Sequence, residues 1–202
     1  YYLSQENGTE INNDDVLAYY VWIPRFKYAV WNVTGTAGID SYDAYNKGIG
    51  IVFEHDTEST GVIYCNNGEC YNSELMVTKV SQIDNGKYYT HPAFNQSGTQ
   101  LTGFWVSKYE LSLNDNNIQS KGGASVWVNN SLSNYINSVN NISNHVIKNN
   151  EWGAVTYLSH SKYGLCKNGK CDTIGINSTY VSGSNDKDTT TGNEYGVYDM
   201  AG

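Results

Sequence analysis

The fold of this chain is set by residues 190–202, which read Thr190-Thr191-Gly192-Asn193-Glu194-Tyr195-Gly196-Val197-Tyr198-Asp199-Met200-Ala201-Gly202. This stretch has three glycines, Gly192, Gly196 and Gly202. Glycine permits backbone angles that residues with a side chain avoid. Apolar cover is expected from Tyr195, Val197 and Met200. The stretch therefore predicts a glycine-rich turn that leads into a short aromatic strand.

The composition is that of a loop-rich protein whose surface is polar but weakly charged. The 202 residues suffice for one substantial core, while charged residues make up 16% of the chain and tyrosines number 18. Twelve basic against 20 acidic residues give a net charge of −8, which argues against a nucleic-acid partner and against a polybasic contact with lipid. No apolar run approaches the roughly 20 residues that a membrane span needs, so we expect no direct membrane span in this chain.

The cysteines stand in one pattern, Cys-x-Asn-Gly-x-Cys, which occurs at residues 65–70 and again at residues 166–171. Asn-Gly is the preferred pair for a two-residue type I′ hairpin turn, because both central residues need positive φ. Such a turn places the flanking cysteines opposite each other, with Cα atoms about 4.5–5.5 Å apart, within reach of a disulfide. We therefore predict two disulfide-closed hairpins, Cys65–Cys70 and Cys166–Cys171.

A zinc site is the alternative interpretation, since two Cys-x4-Cys knuckles can hold one metal ion. The hairpin-forming residues between the cysteines favour the disulfides. Two disulfides indicate an oxidising environment, so we expect an extracellular protein. The histidines show no metal-ligand spacing and are scattered along the chain, at His55, His91, His145 and His160.

Strands are expected through most of the first half of the chain. Residues 16–31 read as a strand that is interrupted at Pro24, which belongs at an edge, bulge or strand break. Apolar residues after Pro24 alternate with Lys27, which suits a half-buried strand. Residues 50–54 predict a further strand, whereas residues 85–99 are expected to form a loop.

Helical spacing of apolar residues occurs twice in the second half of the chain. Residues 131–142 show it, although their asparagines are poor helix formers. Residues 149–160 show it more clearly, with an inward stripe that begins at Trp152. Ahead of both helices, residues 101–111 predict a strand with Phe104 facing inward.

Three segments resemble one family, the formylglycine-generating-enzyme-like (sulfatase-modifying-factor) branch of the C-type-lectin fold. Residues 196–202 resemble its Gly-Leu/Val-Tyr-Asp-Met-x-Gly motif. Residues 103–111 resemble its Gly-Phe-x-Met/Val-x-Lys-Tyr-Glu-Val strand, which opens the lectin-like domain. The helix predicted at residues 149–160 is similar to a helix with tryptophan, alanine and a second aromatic residue that the family has at this place. The segments follow one another in the family's order, so the resemblance covers residues 101–202.

The resemblance implies an α+β, C-type-lectin-like mixed fold that is loop-rich, with short antiparallel strands and two helices beside the disulfide-closed hairpins. We expect a polar arm or connector at residues 1–15, a β-rich part at 16–100 and a lectin-like part at 101–202. Alternatively, the last two parts form one continuous domain. In the family, Asn-Val-Trp-Glu-Trp and a long loop-rich region follow the terminal motif, so the resemblance implies a truncation at Gly202.

The candidate ligand contacts are Trp127, which lies in a polar stretch, and its neighbour Asn129. Aromatic faces pack on the apolar faces of sugars while an adjacent amide accepts hydrogen bonds. Ordinary core packing is the alternative for Trp127. For the tryptophans at Trp22, Trp105 and Trp152 we expect a place in the core.

Oxygen-bearing side chains cluster near the terminal stretch, at Asp186, Asp188, Asn193, Glu194 and Asp199. Lectin-like folds often hold calcium in loops through such oxygens, which suit a hard cation. The spacing does not match the EF-hand loop, and a solvated acidic loop is the interpretation that we favour. We therefore expect no cofactor, with calcium as the alternative.

These observations favour an extracellular, non-enzymatic binding or adhesion protein of a bacterial or phage surface, which recognises a glycan or a protein ligand. The alternative is a structural subunit of a surface filament or appendage that assembles with copies of itself. The oxidative activity of the family needs a reactive cysteine pair beyond the terminal motif, so we expect it only if the protein continues past Gly202 with such a pair.

Overall fold

The computed structural model describes residues 6–29, 33–34, 38–39, 48–57, 60–73, 75–80, 83, 85–175 and 181–201. Three predictions reach outside these ranges: the first five residues of the polar arm, the strand end at Val30 and Trp31, and Gly202 of the terminal stretch. Within the described ranges, no helix has both the length and the apolar character needed to cross a bilayer.

The fold is mixed α+β with mostly antiparallel strands, as predicted. Its largest unit is a six-stranded sheet in which every pairing is antiparallel. From edge to edge, the described strands of this sheet are β5 (Gly50–Phe53), β2 (Phe26–Ala29), β9 (Gly86–Thr90), β6 (Ile63–Asn66), β7 (Glu69–Asn72) and β8 (Leu75–Lys79).

The other described strands form two-stranded antiparallel ribbons. These ribbons are β1 (Tyr20–Pro24) with β12 (Gly103–Ser107), β3 (Val33–Thr34) with β4 (Gly38–Ile39), β10 (Asn95–Gln96) with β11 (Thr99–Gln100), β13 (Ser112–Asn114) with β14 (Asn117–Gln119), and β15 (Cys166–Lys167) with β16 (Lys170–Cys171). The α-helices of the described ranges are α1 (Leu132–Asn140) and α2 (Asn149–Ser159). The break between β1 and β2 follows Pro24, as predicted, because proline has no N–H for the ladder.

The main core joins both halves of the chain. Its buried members include Phe26 and Ile51 from the first half, and Val155 and Val197 from the second. Across the predicted boundary at residue 100, β1 pairs along its whole length with β12. The β-rich part and the lectin-like part therefore share one hydrophobic core.

The segment at residues 85–99, predicted as a loop, contains the strand β9 in the interior of the sheet. This strand pairs with β2 on one side and with β6 on the other. Its Tyr88 is completely buried in a second core that also holds Ile63 and the first disulfide. The loop prediction was wrong because turn-forming residues such as Asn85 and Pro92 flank the strand, while the pairing that creates it comes from distant segments.

Both cysteine hairpins form as predicted. In each, the two cysteines face each other in the ladder and are joined by a disulfide, with Cα atoms 4.0 Å apart in Cys65–Cys70 and 3.8 Å apart in Cys166–Cys171. The Asn and Gly of both turns have positive φ, as a type I′ turn requires. Because the sulfurs are covalently paired, the zinc interpretation of two cysteine knuckles is wrong.

Both helices lie where predicted, and Val155 and Ser159 of the inward stripe predicted for α2 are buried. The buried residues of α2 are Glu151, Ala154, Val155 and Ser159. Trp152, which was expected to begin the inward stripe, is exposed. Glu151 tolerates burial because its carboxylate accepts the backbone N–H of Lys148 at 2.8 Å and the side-chain amide of Gln96 at 2.6 Å.

The terminal stretch folds back onto the end of β12 through turns and one antiparallel bridge, between Thr189 and Tyr198, instead of the short strand that was predicted. The ring of Tyr198 stacks on the ring of Tyr109, and Val197 is buried in the main core. Tyr195 was expected to supply apolar cover, but it is exposed. The stacking joins two of the three segments that resemble the lectin-like family.

Candidate ligand-binding surface

The ribbon of β1 and β12 carries exposed aromatic rings on one face. Trp22 and Trp105 are directly opposite each other in the register, and their ring centroids lie 5.1 Å apart. Trp22 is 39% exposed and Trp105 is 64% exposed. Tyr20, two residues before Trp22, is exposed on the same face. The side chains of Tyr20, Trp22 and Trp105 are named the aromatic strip below.

The opposite face of the ribbon explains why the strip faces solvent. Ile23 is buried in the main core, and the neighbouring apolar residues Val21, Phe104 and Val106 pack against that core. Because successive side chains of a strand point to opposite faces, burying these residues leaves the alternate residues outside. The aromatic strip is therefore supported by a ribbon whose opposite face packs in the core.

A close contact fixes the indole ring of Trp22. A Cβ atom at Gly103 would overlap the Trp22 indole and the carbonyl oxygen of Ile23. Glycine at this position therefore lets the ring approach the backbone of β12. The Trp22 ring contacts Gly103 as well as the ring of Trp105.

A polar group lies beside the strip. The side-chain amide of Asn144, in the segment after α1, donates to the Tyr20 hydroxyl at 3.2 Å at a solvent-facing position. The backbone N–H of Asn144 donates to the carbonyl of Val139 at 3.0 Å, which fixes that segment to the helix. An amide and a hydroxyl next to exposed rings can orient the polar groups of a ligand.

The structure corrects the expectation that Trp22, Trp105 and Trp152 belong to the core, since all three are more than one-third exposed. Trp152 lies on α2, where its indole N–H donates to the Met200 carbonyl at 3.3 Å. Alternation in a strand places successive side chains on opposite faces of β1 and of β12. Both faces carry large apolar side chains, so the pattern alone did not show which of them is buried.

Trp127 and Asn129 lie elsewhere, between β14 and α1. The ring of Trp127 is 4.9 Å from that of Tyr135, whose hydroxyl donates to the Trp127 carbonyl at 2.7 Å. Asn129 is exposed and has a φ of 60°. Trp127 is half-buried, which agrees in part with core packing and in part with an exposed ring.

The candidate calcium ligands lie in a short 3₁₀ turn and in the terminal stretch, at Asp186, Asp188, Asn193, Glu194 and Asp199. Hydroxyl groups of the chain donate to the side chains of three of them: Tyr198 to Asp186, Thr191 to Asn193, and Ser182 to Asp199. Asp188 is buried, whereas Glu194 is exposed. These contacts are those of a hydrogen-bonded loop.

The carboxylates among the candidate calcium ligands form no cluster of three within the described ranges. In the described part of the chain, the single group of three or more His, Cys, Asp or Glu side chains with ligand atoms within 4.8 Å of one another is His160 with Cys166 and Cys171. Both of these sulfurs belong to a disulfide, which removes them as thiolate ligands. Calcium binding by the terminal loop stays the untested alternative to the solvated acidic loop that was predicted.

Ser182 links the backbone N–H of Glu110 to the carboxylate of Asp199 near the terminal stretch. The backbone N–H of Glu110 donates to the Ser182 hydroxyl oxygen at 3.1 Å, and that hydroxyl donates to Asp199. Burial, followed by the charge of Asp199, raises the pKa of Glu110 above its ordinary value. The link ties the strand segment at residues 103–111 to the terminal stretch.

Comparisons with models of known protein families, with curated proteins and with solved structures gave no match. The function is therefore inferred from the residues and the geometry of the chain.

Proposed function

We propose that this chain is an extracellular, non-enzymatic binding or adhesion protein that recognises a glycan through the aromatic strip. The observation that carries the proposal is the pair Trp22 and Trp105, two indole rings 5.1 Å apart and open to solvent on a ribbon anchored in the main core. Large aromatic rings exposed together on a rigid support are typical of a surface that meets a ligand.

Stacking is the contact that these rings offer. A sugar ring has an apolar face of C–H groups, which packs on indole and phenol rings while its hydroxyls hydrogen-bond to nearby polar groups. Tyr20 and Trp22 are separated by about 7 Å along the strand, so each can contact a different sugar of one chain. Asn144 and the Tyr20 hydroxyl supply polar contacts. The strip therefore suits an oligosaccharide better than a single sugar.

The location outside the cell is supported by the two disulfides, which persist in oxidising compartments. A bacterial or phage surface is the context that the resemblance of residues 101–202 to the formylglycine-generating-enzyme-like branch of the C-type-lectin fold suggests. We include this context in the proposal. The proposal assigns no catalytic residue to the chain.

Titration with defined oligosaccharides tests the proposal. Chitotetraose and cellotetraose present flat, β-1,4-linked sugar rings, and their binding is followed by tryptophan fluorescence and by calorimetry. Trp105→Ala is expected to weaken binding about tenfold, because a stacked aromatic side chain contributes roughly 1 kcal/mol or more.

Trp152→Ala is the matched control, because Trp152 is also exposed but lies on α2, outside the strip. Its affinity is expected to stay within about twofold of the wild type. Equal losses in both variants would contradict the assignment of the strip. A wild-type chain that binds neither these probes nor any member of a broad glycan array would contradict glycan recognition itself.

A subunit of a surface filament is the second candidate, and the strand β8 favours it. Among the described strands, β8 is at one edge of the six-stranded sheet, and its side chains Leu75, Met76 and Val77 are exposed. An edge strand with exposed apolar side chains is a template for pairing with another strand. The partner expected for this edge is a second copy of the chain.

Sedimentation velocity and electron microscopy over a range of concentrations separate the two candidates. Filaments or oligomers that Val77→Lys abolishes, and that Ile136→Lys on the exposed face of α1 leaves intact, would support the subunit. A chain that stays monomeric at millimolar concentration would exclude it.

A further inference from the structure

We propose that a cleft between the end of β9 and the β10–β11 ribbon binds the carboxylate group of a small ligand. The cleft has a volume of about 340 Å³ and is lined by Arg25, Thr90, His91, Pro92, Asn95 and Gln100. This volume is at the lower end of the range for small-molecule sites. The cleft shares no residue with the aromatic strip, so the inference stands apart from the proposed function.

Arg25 belongs to a buried group with a surplus positive charge. Arg25 Nε lies 3.0 Å from Glu54 Oε2, and Lys27 Nζ lies 3.0 Å from Glu54 Oε1. The side chains of Arg25, Lys27 and Glu54 are 0%, 1% and 4% exposed, although Lys27 was expected on an outer face. Counting the described residues alone, two cations and one carboxylate leave a charge of +1 in this group. A buried charge without a counter-charge is destabilising, which favours the arrival of an anion.

The hydrogen bonds show which of the two cations is incompletely paired. Lys27 Nζ donates to Thr90 Oγ1 at 2.8 Å. Arg25 Nη1 donates to the carbonyl oxygens of Phe94 at 3.1 Å and Leu101 at 3.2 Å. Among the described residues, Arg25 Nη2 has no hydrogen-bond partner, whereas Arg25 Nε and both carboxylate oxygens of Glu54 are in ion-pair contact without hydrogen-bond alignment. The unused donors therefore belong to the guanidinium that lines the cleft.

A carboxylate matches the cleft in charge and in hydrogen bonding. Its single negative charge balances the surplus of the buried group, whereas the two charges of a sulfate ion exceed it. Its planar oxygens suit the planar guanidinium. The Thr90 hydroxyl, which accepts from Lys27, still has a proton to donate, and Asn95 and Gln100 have amide donors. His91 adds no charge near neutral pH, because burial lowers its pKa to about 4.

The rim of the cleft has to open before a carboxylate can reach Arg25. The guanidinium itself is enclosed, since Nη2 is buried. Asn95 is exposed and Gln100 is partly exposed, and both belong to the short β10–β11 ribbon. We therefore expect these two side chains to turn aside when a ligand enters.

NMR titration of the full chain tests the inference. Backbone amide shifts are followed while sodium acetate or sodium glucuronate is added, with sodium chloride at equal ionic strength as the reference. Saturable shifts at Asn95 and Gln100 are expected with a carboxylate and not with chloride. Tighter binding of glucuronate would assign the cleft to acidic sugars, and equal affinity would assign it to small free carboxylates; both outcomes support a carboxylate site.

Variants at Arg25, on the floor of the cleft, and at Asn95, on its rim, distinguish a loss of binding from a loss of folding. Arg25→Lys keeps the charge, removes Nη2 and is expected to weaken acetate binding about tenfold or more. Because a change at a buried charge can unfold the chain, Asn95→Asp is the second variant. It adds a negative charge at the exposed rim and is expected to weaken binding about tenfold.

Asn117→Asp is the matched control, since it adds the same charge at an exposed position on the β13–β14 ribbon. Its affinity is expected to remain within about twofold of the wild type. Three outcomes would overturn the inference: no saturable shift with either carboxylate, equal shifts with chloride, or unchanged binding in Asn95→Asp.

Discussion

The ring of Tyr198 is stacked on the ring of Tyr109, with centroids 5.0 Å apart and planes 27° from parallel. The Tyr198 backbone N–H donates to the carbonyl of Lys108 at 2.8 Å, and Lys108 Nζ lies 5.4 Å from one ring centroid and 5.9 Å from the other. The segment that follows β12 and the terminal stretch are thereby held together by an aromatic stack, a hydrogen bond and cation–π contacts.

Tyr198→Phe keeps this stack and removes the hydroxyl that donates to Asp186. Burial, together with this hydrogen bond, raises the pKa of Tyr198, so the phenol is a donor throughout the neutral range. We expect the free energy of unfolding to fall by about 1–2 kcal/mol in urea denaturation. Tyr195→Phe, at an exposed position, is expected to cause no measurable change. Equal denaturation midpoints for Tyr198→Phe and the wild type would contradict the prediction.

Gly48→Ala tests the contact between Gly48 and the second disulfide. A Cβ atom at this position would lie 2.6 Å from Cys166 Sγ and 2.8 Å from the His160 carbonyl oxygen, and the φ of Gly48 is +72°. Left-handed backbone and steric overlap both disfavour alanine, so we expect a loss of about 3 kcal/mol or more in the free energy of unfolding.

Gly169→Ala is the control for the backbone contribution. The φ of Gly169 is +75°, and nothing lies within 4 Å of its Cβ position. This variant is expected to lose only about 1 kcal/mol, because the strain of a left-handed alanine remains while the overlap is absent. Equal losses in the two variants would mean that the disulfide moves aside without cost.

His91 predicts a dependence of stability on pH. Its ring lies among aromatic neighbours, with centroid distances of 5.2–6.2 Å to Phe26, Tyr28, Phe94 and Tyr157. Burial lowers its pKa from 6.5 to about 4, so between these values the unfolded chain binds a proton that the folded chain does not. Stability is therefore expected to rise from pH 4 to pH 6.5 by no more than about 3 kcal/mol.

Urea denaturation between pH 4 and 7 measures this dependence, and two histidine variants assign it. His91→Asn retains an acceptor for the Ala93 N–H, which now bonds His91 Nδ1 at 3.2 Å, and it is expected to flatten the pH profile. His55→Gln, at an exposed position, is expected to keep the wild-type profile. A profile that His91→Asn leaves unchanged would assign the pH dependence to other groups.

Glu151→Gln tests the buried carboxylate at the start of α2. Burial works to raise the pKa of Glu151, but hydrogen bonds from the Lys148 backbone, His145 and Gln96 outweigh burial and hold the pKa below 4.5. The charged form is therefore favoured by folding, and its contribution is complete above the unfolded pKa and lost as pH falls through the folded pKa. At pH 7 we expect a loss of about 1.5–3 kcal/mol in the free energy of unfolding.

The loss in Glu151→Gln should shrink in acid, because the wild-type carboxyl is then protonated as well. Glu10→Gln, at an exposed position in the polar arm, is the control and should behave as the wild type. A loss that is the same at pH 7 and at low pH would show that the amide substitution, rather than the missing charge, destabilises the helix.

The site was less predictable than the fold. Trp127 and Asn129 were chosen because their surroundings in the sequence are polar, yet Trp127 packs in part on Tyr135. Trp22 and Trp105 were expected in the core, yet both are exposed. Local polarity is a weak guide to the exposure of a large side chain, because burial depends on what packs over it.

Sequence patterns alone predicted the two Asn-Gly hairpins with their disulfides, the interruption at Pro24 and the places of both helices. Each of these depends on backbone preferences and spacings of residues that are neighbours in the chain. Such local preferences do not depend on packing with distant segments, and they can therefore be predicted from a single sequence.

Packing between distant segments selects which face of the β1–β12 ribbon is buried, and it places Lys27 inside. The ribbon has large apolar side chains on both faces, and Ile23 rather than Trp22 is buried because it joins Val155 and Val197 in the main core. Lys27 is buried with Glu54, which lies 3.0 Å away on a segment that follows β5. These choices depend on partners far away in the sequence, and pairing and packing with distant segments are not encoded in any local pattern.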